Sequence, residues 1–111
     1  MTTEDFAALE LRTMQSAWRA LERRWGLSPT ERRALFPAGG DDLADPPADT
    51  EARMRIQIEI GYRIGMPEDM LRDWLRTASP VLGWLTPLDV MSGSRADLRG
   101  LRRIVEAGFA S

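Results

Sequence analysis

The chain predicts an all-α fold, a compact bundle of five to six helices around a single core. Three observations carry this. Apolar residues recur at helical spacing over long stretches. A cap signature, Ser or Thr followed three residues later by an acid, recurs before apolar runs. And no convincing pair of strands is present, so an isolated extended segment would have no partner for its backbone groups. The 111 residues suffice for one real but modest core. Composition is ordinary for a globular chain, with 43% hydrophobic and 29% charged residues and a net charge of −2.

Residues 5–25 read as a long first helix. Ala7, Leu11, Met14, Trp18, Leu21 and Trp25 alternate at spacings of four and three, with Phe6 and Leu9 widening the face near its start. Such a stripe serves either a core face or a seam for a partner helix. Gly26 ends the helix at a left-handed position. Ser28-Pro29-Thr30-Glu31 opens a second helix as a capping box with proline first, running to about Phe36 and burying Leu35 and Phe36. Residues 37–49 then hold three prolines, two glycines and four aspartates with no basic residue, the composition of a surface loop.

The stretch 51–64 is ambiguous. Met54, Ile56, Ile58, Ile60, Tyr62 and Ile64 alternate with polar residues, which favours a strand. Spacings of four between Met54 and Ile58, and among Ile56, Ile60 and Ile64, favour a helix capped by Asp49 or Thr50. The helix is the reading adopted, with apolar residues on more than one face. After Gly65, Pro67-Glu68-Asp69 starts a helix whose core face is Met70, Leu71, Trp74 and Leu75. The linker Thr77 to Leu85 carries Val81, Leu82, Trp84 and Leu85, which is much apolar surface for a loop. It either folds back on the core or forms part of an interface, and Trp84 and Leu85 are candidates for a dimer contact.

Thr86-Pro87-Leu88-Asp89 opens a very short helix that Gly93 ends, and Ser94 with Asp97 repeats the cap. The last helix runs from about Arg95 to Ala107 with Leu98, Leu101, Ile104 and Val105 as its apolar stripe. Arg99, Arg102 and Arg103 stand on its other faces. Arginine late in a helix complements the negative end of the dipole, so solvated dipole pairing is one reading of Arg102 and Arg103.

The chemistry available is limited. There is no cysteine and no histidine, which removes thiolate chemistry, disulfides, the commonest metal ligand and the commonest general base. No Gly-rich phosphate loop is present. The carboxylate pairs Asp41-Asp42 and Glu68-Asp69 have local structural explanations. No catalytic activity, cofactor or metal is expected. No apolar run approaches membrane-spanning length and the start, MTTEDF, is acidic, so the expectation is a cytoplasmic protein without membrane contact. All fifteen basic residues are arginine, which suits planar recognition of carboxylate and phosphate.

The order Trp74-Leu75-Arg76, a loop with Pro80 and Gly83, then Thr86-Pro87-Leu88-Asp89-x-Met91-x-Gly93 and Leu98-x-x-Leu101-Arg102-Arg103 resembles the toxin-binding domain of the Xre/MbcA/ParS antitoxin family. The likeness covers roughly Met66 to Ala107, with a looser one from Leu9 to Leu35. It implies an N-terminal region, 1–50, with a degenerate helix-turn-helix, and a toxin-binding domain, 51–111. It also implies a helix at 51–64, a homodimer and a partner toxin, most often of the RES-domain type that destroys NAD. The C-terminal region would plug the toxin's active-site entrance. Arg99, Arg102, Arg103, Phe109 and Ser111 are the candidate toxin-binding residues, by region and not by a matched motif. The chain departs from the family pattern at 37–49, where a basic recognition helix should follow. Four aspartates there would repel a phosphate backbone, so weak or absent DNA binding is expected. A DNA-binding regulator of its own operon, or a homodimeric adaptor with no toxin, are the competing expectations.

Overall fold

The computed structural model describes residues 2–108. Six α-helices follow in order: α1 Thr3–Trp25, α2 Pro29–Leu35, α3 Ala48–Arg63, α4 Glu68–Leu75, α5 Pro87–Met91 and α6 Arg95–Glu106, with a 3-10 turn at Pro80–Leu82. No strand occurs among the described residues; one isolated antiparallel bridge joins Ser79 and Leu85.

The all-α expectation holds, and the doubtful stretch 51–64 is helical. Its environment explains the mixed pattern. α3 packs against α1 on one side and α6 on another. A helix gripped from two sides needs apolar residues around much of its circumference, and a period-two run of isoleucines supplies them as readily as it would supply a strand. Met54, Ile56, Ile60 and Ile64 are buried, while Ile58 is half-buried at the edge of the core. Buried polar groups on α3 tie it to the chain before it. The Thr50 hydroxyl donates to the Gly39 carbonyl at 2.6 Å, and Gln57 Nε2 donates to the Leu35 carbonyl at 3.3 Å.

The predicted cap of α3 is displaced. The helix starts at Ala48 after Pro47, with no side-chain cap bond. Thr50 is spent on Gly39, and Asp49 accepts from Arg53 Nε at 2.7 Å instead. The other predicted caps form as capping boxes: Ser28 with Glu31, Thr86 with Asp89, and Ser94 with Asp97. A fourth, Thr2 with Asp5, starts α1 two residues earlier than expected. Gly26 adopts φ 64°, and its N–H closes back on the Glu22 and Arg23 carbonyls.

One core draws on every helix, from Met14 to Val105. At one end Trp18 meets Phe36 edge-on at 4.9 Å and Trp25 edge-on at 6.2 Å. Two sequence expectations need correction here. Ala7 is exposed and Leu11 only half-buried, so the α1 stripe enters the core at Met14. On α4, Leu71 and Leu75 point inward at a spacing of four. Met70, about 100° round the helix from Leu71, faces solvent, and Trp74 is half-buried.

The 37–47 loop is pinned rather than loose. Gln15 Nε2 donates to the carbonyls of Asp41 and Leu43, at 3.0 and 2.8 Å. Arg32 holds Asp41 through Nε and Nη2, and Asp42 through Nη2. Pro46 is buried.

α1 and α3 approach closely at Gly61. A Cβ there would stand 2.4 Å from Leu21 Cδ1, so that Leu21 would have to give up its place against the core. Gly100, on α6, has open space where its Cβ would be. Glycine inside a helix ordinarily costs about 0.5–1 kcal/mol relative to alanine. The two sites should therefore respond with opposite sign. Gly100→Ala is expected to raise the melting temperature. Gly61→Ala is expected to lower it, because overpacking costs about 1–3 kcal/mol. Thermal melts of the two variants followed by circular dichroism check both directions.

Candidate protein-binding surface

The stretch from Trp74 to Gly93 is built by local hydrogen bonding. Thr86 Oγ1 accepts from the Asp89 amide at 3.0 Å, and Asp89 Oδ2 accepts from the Thr86 amide at 3.1 Å. Pro87 fills the first helical position, where no N–H is needed. Leu88 and Met91 enter the core, α5 packs against α2, α4 and α6, and Leu75 is fully buried. Gly93 has a steric reason as well: a Cβ would meet Asp97 Oδ2 at 2.4 Å, in the middle of the next capping box. The motif residues thus act first as a scaffold joining α4 to α6.

Pro80 opens the 3-10 turn, and the linker around it does not fold back as a whole. Leu82 alone packs against the core; Val81, Trp84 and Leu85 face solvent. The segment closes as a small hairpin. Ser79 N–H donates to the Leu85 carbonyl at 3.1 Å, and Trp84 N–H donates to the Ser79 carbonyl at 2.8 Å. Gly83 and Trp84 follow the 3-10 turn and close the loop, with φ 66° each. Two consecutive positive φ angles suit the tight turn of a hairpin, where glycine or asparagine is usual. A tryptophan there carries a backbone cost of about 1–3 kcal/mol. Its side chain is 71% exposed, so burial does not offset that cost.

On α6, Leu98, Leu101 and Val105 are buried and Ile104 is half-buried. The three arginines of interest divide. Arg99 and Arg103 are exposed, with no ion pair among the described residues. Arg102 is engaged: its Nη1 donates to Glu59 Oε2 at 2.5 Å, which staples α6 to α3. Dipole pairing alone does not describe Arg102. Phe109 and Ser111 lie outside the described residues.

Sequence reasoning missed a second pair of arginines. Arg72 on α4 and Arg76 just past its end, one turn apart, serve carbonyls at the end of α1. Arg72 donates to the Arg23 and Arg24 carbonyls, and Arg76 donates to those of Trp25 and Gly26. The last carbonyls of a helix lack intrahelical partners and carry the negative end of its dipole. Arg76 also forms a two-pronged pair with Glu31, at 3.0 and 2.9 Å. The spacing of four was legible, but nothing local names a distant helix end as the acceptor. Also missed was a groove beside α1, lined by Phe6, Leu9, Met14, Ile58 and Tyr62. Its residues come from two helices whose relative placement the pattern does not encode.

Among the described residues no group of three carboxylates or other ligands is arranged to hold a metal ion, and no helix is long and apolar enough to cross a membrane. No family model, curated protein or solved structure matches the chain. The likeness to the antitoxin family thus rests on the motif residues themselves.

The Arg76 guanidinium, bonded to both oxygens of Glu31, holds that carboxyl below its ordinary value of 4.5, helped by the Ser28 amide and opposed by partial burial. A depressed folded-state value stabilises the fold above the unfolded value and is lost as pH falls through the folded one. Acidification below pH 4.5 should therefore weaken the α1–α2–α4 junction. Glu31→Gln should lower the melting temperature at neutral pH and show a smaller further drop on acidification than the parent. Equal acid sensitivity in melts of the two proteins would remove Glu31 from this role.

Proposed function

We propose that this chain is a protein-binding inhibitor, the antitoxin of a type II toxin–antitoxin pair, and that it blocks a RES-type toxin that degrades NAD. The observation that carries the reading is Trp84. An exposed tryptophan held at positive φ, with no core role, is the form expected of an interface anchor. Strained backbone concentrates at functional sites, and aromatic and arginine side chains dominate binding energy. The resemblance of the surrounding motif to the Xre/MbcA/ParS toxin-binding domain supplies the partner class. Arg99 and Arg103, without an ion pair among the described residues, fit the same reading, since each could meet acidic or dinucleotide-binding groups on a toxin. Arg102 is the weakest of the three candidates, because a toxin would have to compete with Glu59.

The helix-turn-helix reading finds less support. A reader of DNA would need a basic helix after α2. The loop that stands there instead directs Asp41 and Asp42 to Arg32, which consumes a cation that could otherwise meet phosphate. An operator-binding role for this chain alone is accordingly not part of the proposal.

Growth rescue on co-expression with the toxin of the adjacent reading frame tests inhibition. Trp84→Ala, Arg99→Ala, Arg103→Ala and deletion of 109–111 should each weaken rescue, and the three substitutions should do so without lowering the melting temperature. An interface arginine or tryptophan truncated to alanine costs about 2 kcal/mol, or roughly thirtyfold in affinity. Thr86→Ala should act through stability instead, by about 1 kcal/mol. Undiminished rescue by all four surface variants would move the interface elsewhere. A second measurement addresses DNA: no nanomolar, salt-sensitive binding to the chain's own promoter fragment is expected, and such binding would restore the regulator reading.

A further inference from the structure

The first half of α1 is a helix with little to lean on. Every residue from Thr3 to Glu10 is exposed, including Phe6 and Leu9, and the core begins only at Met14. A helical segment of this length gains most of its stability from packing an apolar face, and this one packs little within the chain. Beside it runs an open groove of about 570 Å³, walled by Phe6, Leu9 and Met14 of α1 and by Ile58 and Tyr62 of α3. Tyr62 is 79% exposed. The groove continues along α1 into a second hollow of about 160 Å³, floored by Ala17, Ala20 and Gly61 and ending at Arg24.

Shape and charge along this surface complement each other end to end. The first half of α1 presents large side chains, Phe6 and Leu9, and the second half presents small ones, Ala17 and Ala20, over Gly61. Toward the groove or on its flank the first half carries Asp5 and Glu10, the latter paired with Arg55, and the second half carries Arg23 and Arg24, whereas Glu4 and Glu22 stand on the opposite face of the helix. A surface whose knobs match its own hollows, and whose acids match its own bases when reversed, is the surface of a two-fold interface.

We propose that a second copy of this chain occupies the groove, with the two α1 helices antiparallel and the two-fold axis passing near Thr13. That register sets Phe6 of each copy over Ala20 of the other and Leu9 over Ala17. It also brings Asp5 of each α1 within a turn of Arg23 of its mate. The groove wall of α3 closes over the inserted Phe6, and the exposed start of α1 gains the packing it lacks within one chain. The arrangement does not rest on the antitoxin reading. It places self-association on α1 and α3, away from Trp84 and Leu85, and leaves the latter free for a different partner.

Light scattering and sedimentation of the full chain at micromolar concentration test it, together with cysteine cross-linking in a protein that has no cysteine of its own. The expected mass is twice the 12.5 kDa of one chain. Phe6→Glu should raise the dimer dissociation constant by about tenfold or more. Phe6 faces solvent in the single chain, so the variant should keep its helical circular dichroism signal. Under mild oxidation Thr13→Cys should cross-link to itself, being near the axis, and Ala20→Cys, on the same face but about 20 Å along the helix from its own mate, should not. A single-chain mass throughout the micromolar range would overturn the proposal. So would efficient self-cross-linking of Ala20→Cys, which requires parallel helices. A dimer kept by Phe6→Glu but lost by Trp84→Glu would also overturn it, by placing the contact on the hairpin. If Phe6→Glu abolished growth rescue while the parent chain ran as a monomer, the groove would belong to the toxin and the proposal would fail. Loss of rescue in hairpin or α6 variants with the dimer intact bears only on the antitoxin reading.

Discussion

α3 is held between α1 and α6, and the close approach of α1 to α3 at Gly61 makes that possible. Leu21 occupies the space a side chain at position 61 would need. With the two helices this near, Met54 and Ile60 reach full burial. The far side of α3 remains available to α6, whose Leu98 and Leu101 complete the core from the other direction. Shifting α1 outward would loosen both contacts at once, because α3 is their shared surface. The capped turns, the α4–α5 scaffold and the pinned loop before α3 are positioned by this three-helix sandwich and do little to hold it together on their own.

Arginine joins the elements to one another. Arg32 ties α2 to the loop after it, Arg72 and Arg76 tie α4 to the end of α1, and Arg102 ties α6 to α3. In each case a planar fork meets a carboxylate or backbone carbonyls across a tertiary gap, work for which a flexible ammonium is less well shaped. These groups are partly exposed, so their individual contributions are modest. Their value lies in orientation: they fix which way short helices of seven and eight residues point. An abundance of arginine, which in the sequence suggests phosphate recognition, is here largely committed to internal bonds.

What the sequence made legible follows from how local each cause is. Ser28, Thr86 and Ser94 signalled their helix starts because a capping box closes over four residues. Gly26 signalled a stop for the same reason. The cap of α3 was misassigned because Thr50 bonds to Gly39, a choice made by tertiary packing. Residues 51–64 could be read two ways because a period-two apolar run fits both a strand and a helix buried on two sides; the missing partner strand decided it. Met70 was placed inside because the apolar stripe of a two-turn helix is too short to fix its phase. At the candidate surface the motif was legible, but the partnering of Arg102 with Glu59 and the service of Arg72 and Arg76 to α1 join residues more than forty positions apart. The positive φ of Trp84 had a faint signal in the preceding glycine, since turns of this kind favour glycine at either central position.

The arginine network has one more property. Guanidinium stays charged at any pH a cell reaches, and Arg32, Arg72, Arg76 and Arg102 donate to carboxylates or carbonyls. With no histidine and no thiol in the chain, no side chain changes its charge near neutral pH in its ordinary state. The internal ties consequently read no thiol-redox signal, and the Arg76–Glu31 tie gives way to protons only in acid, where Glu31 loses its charge.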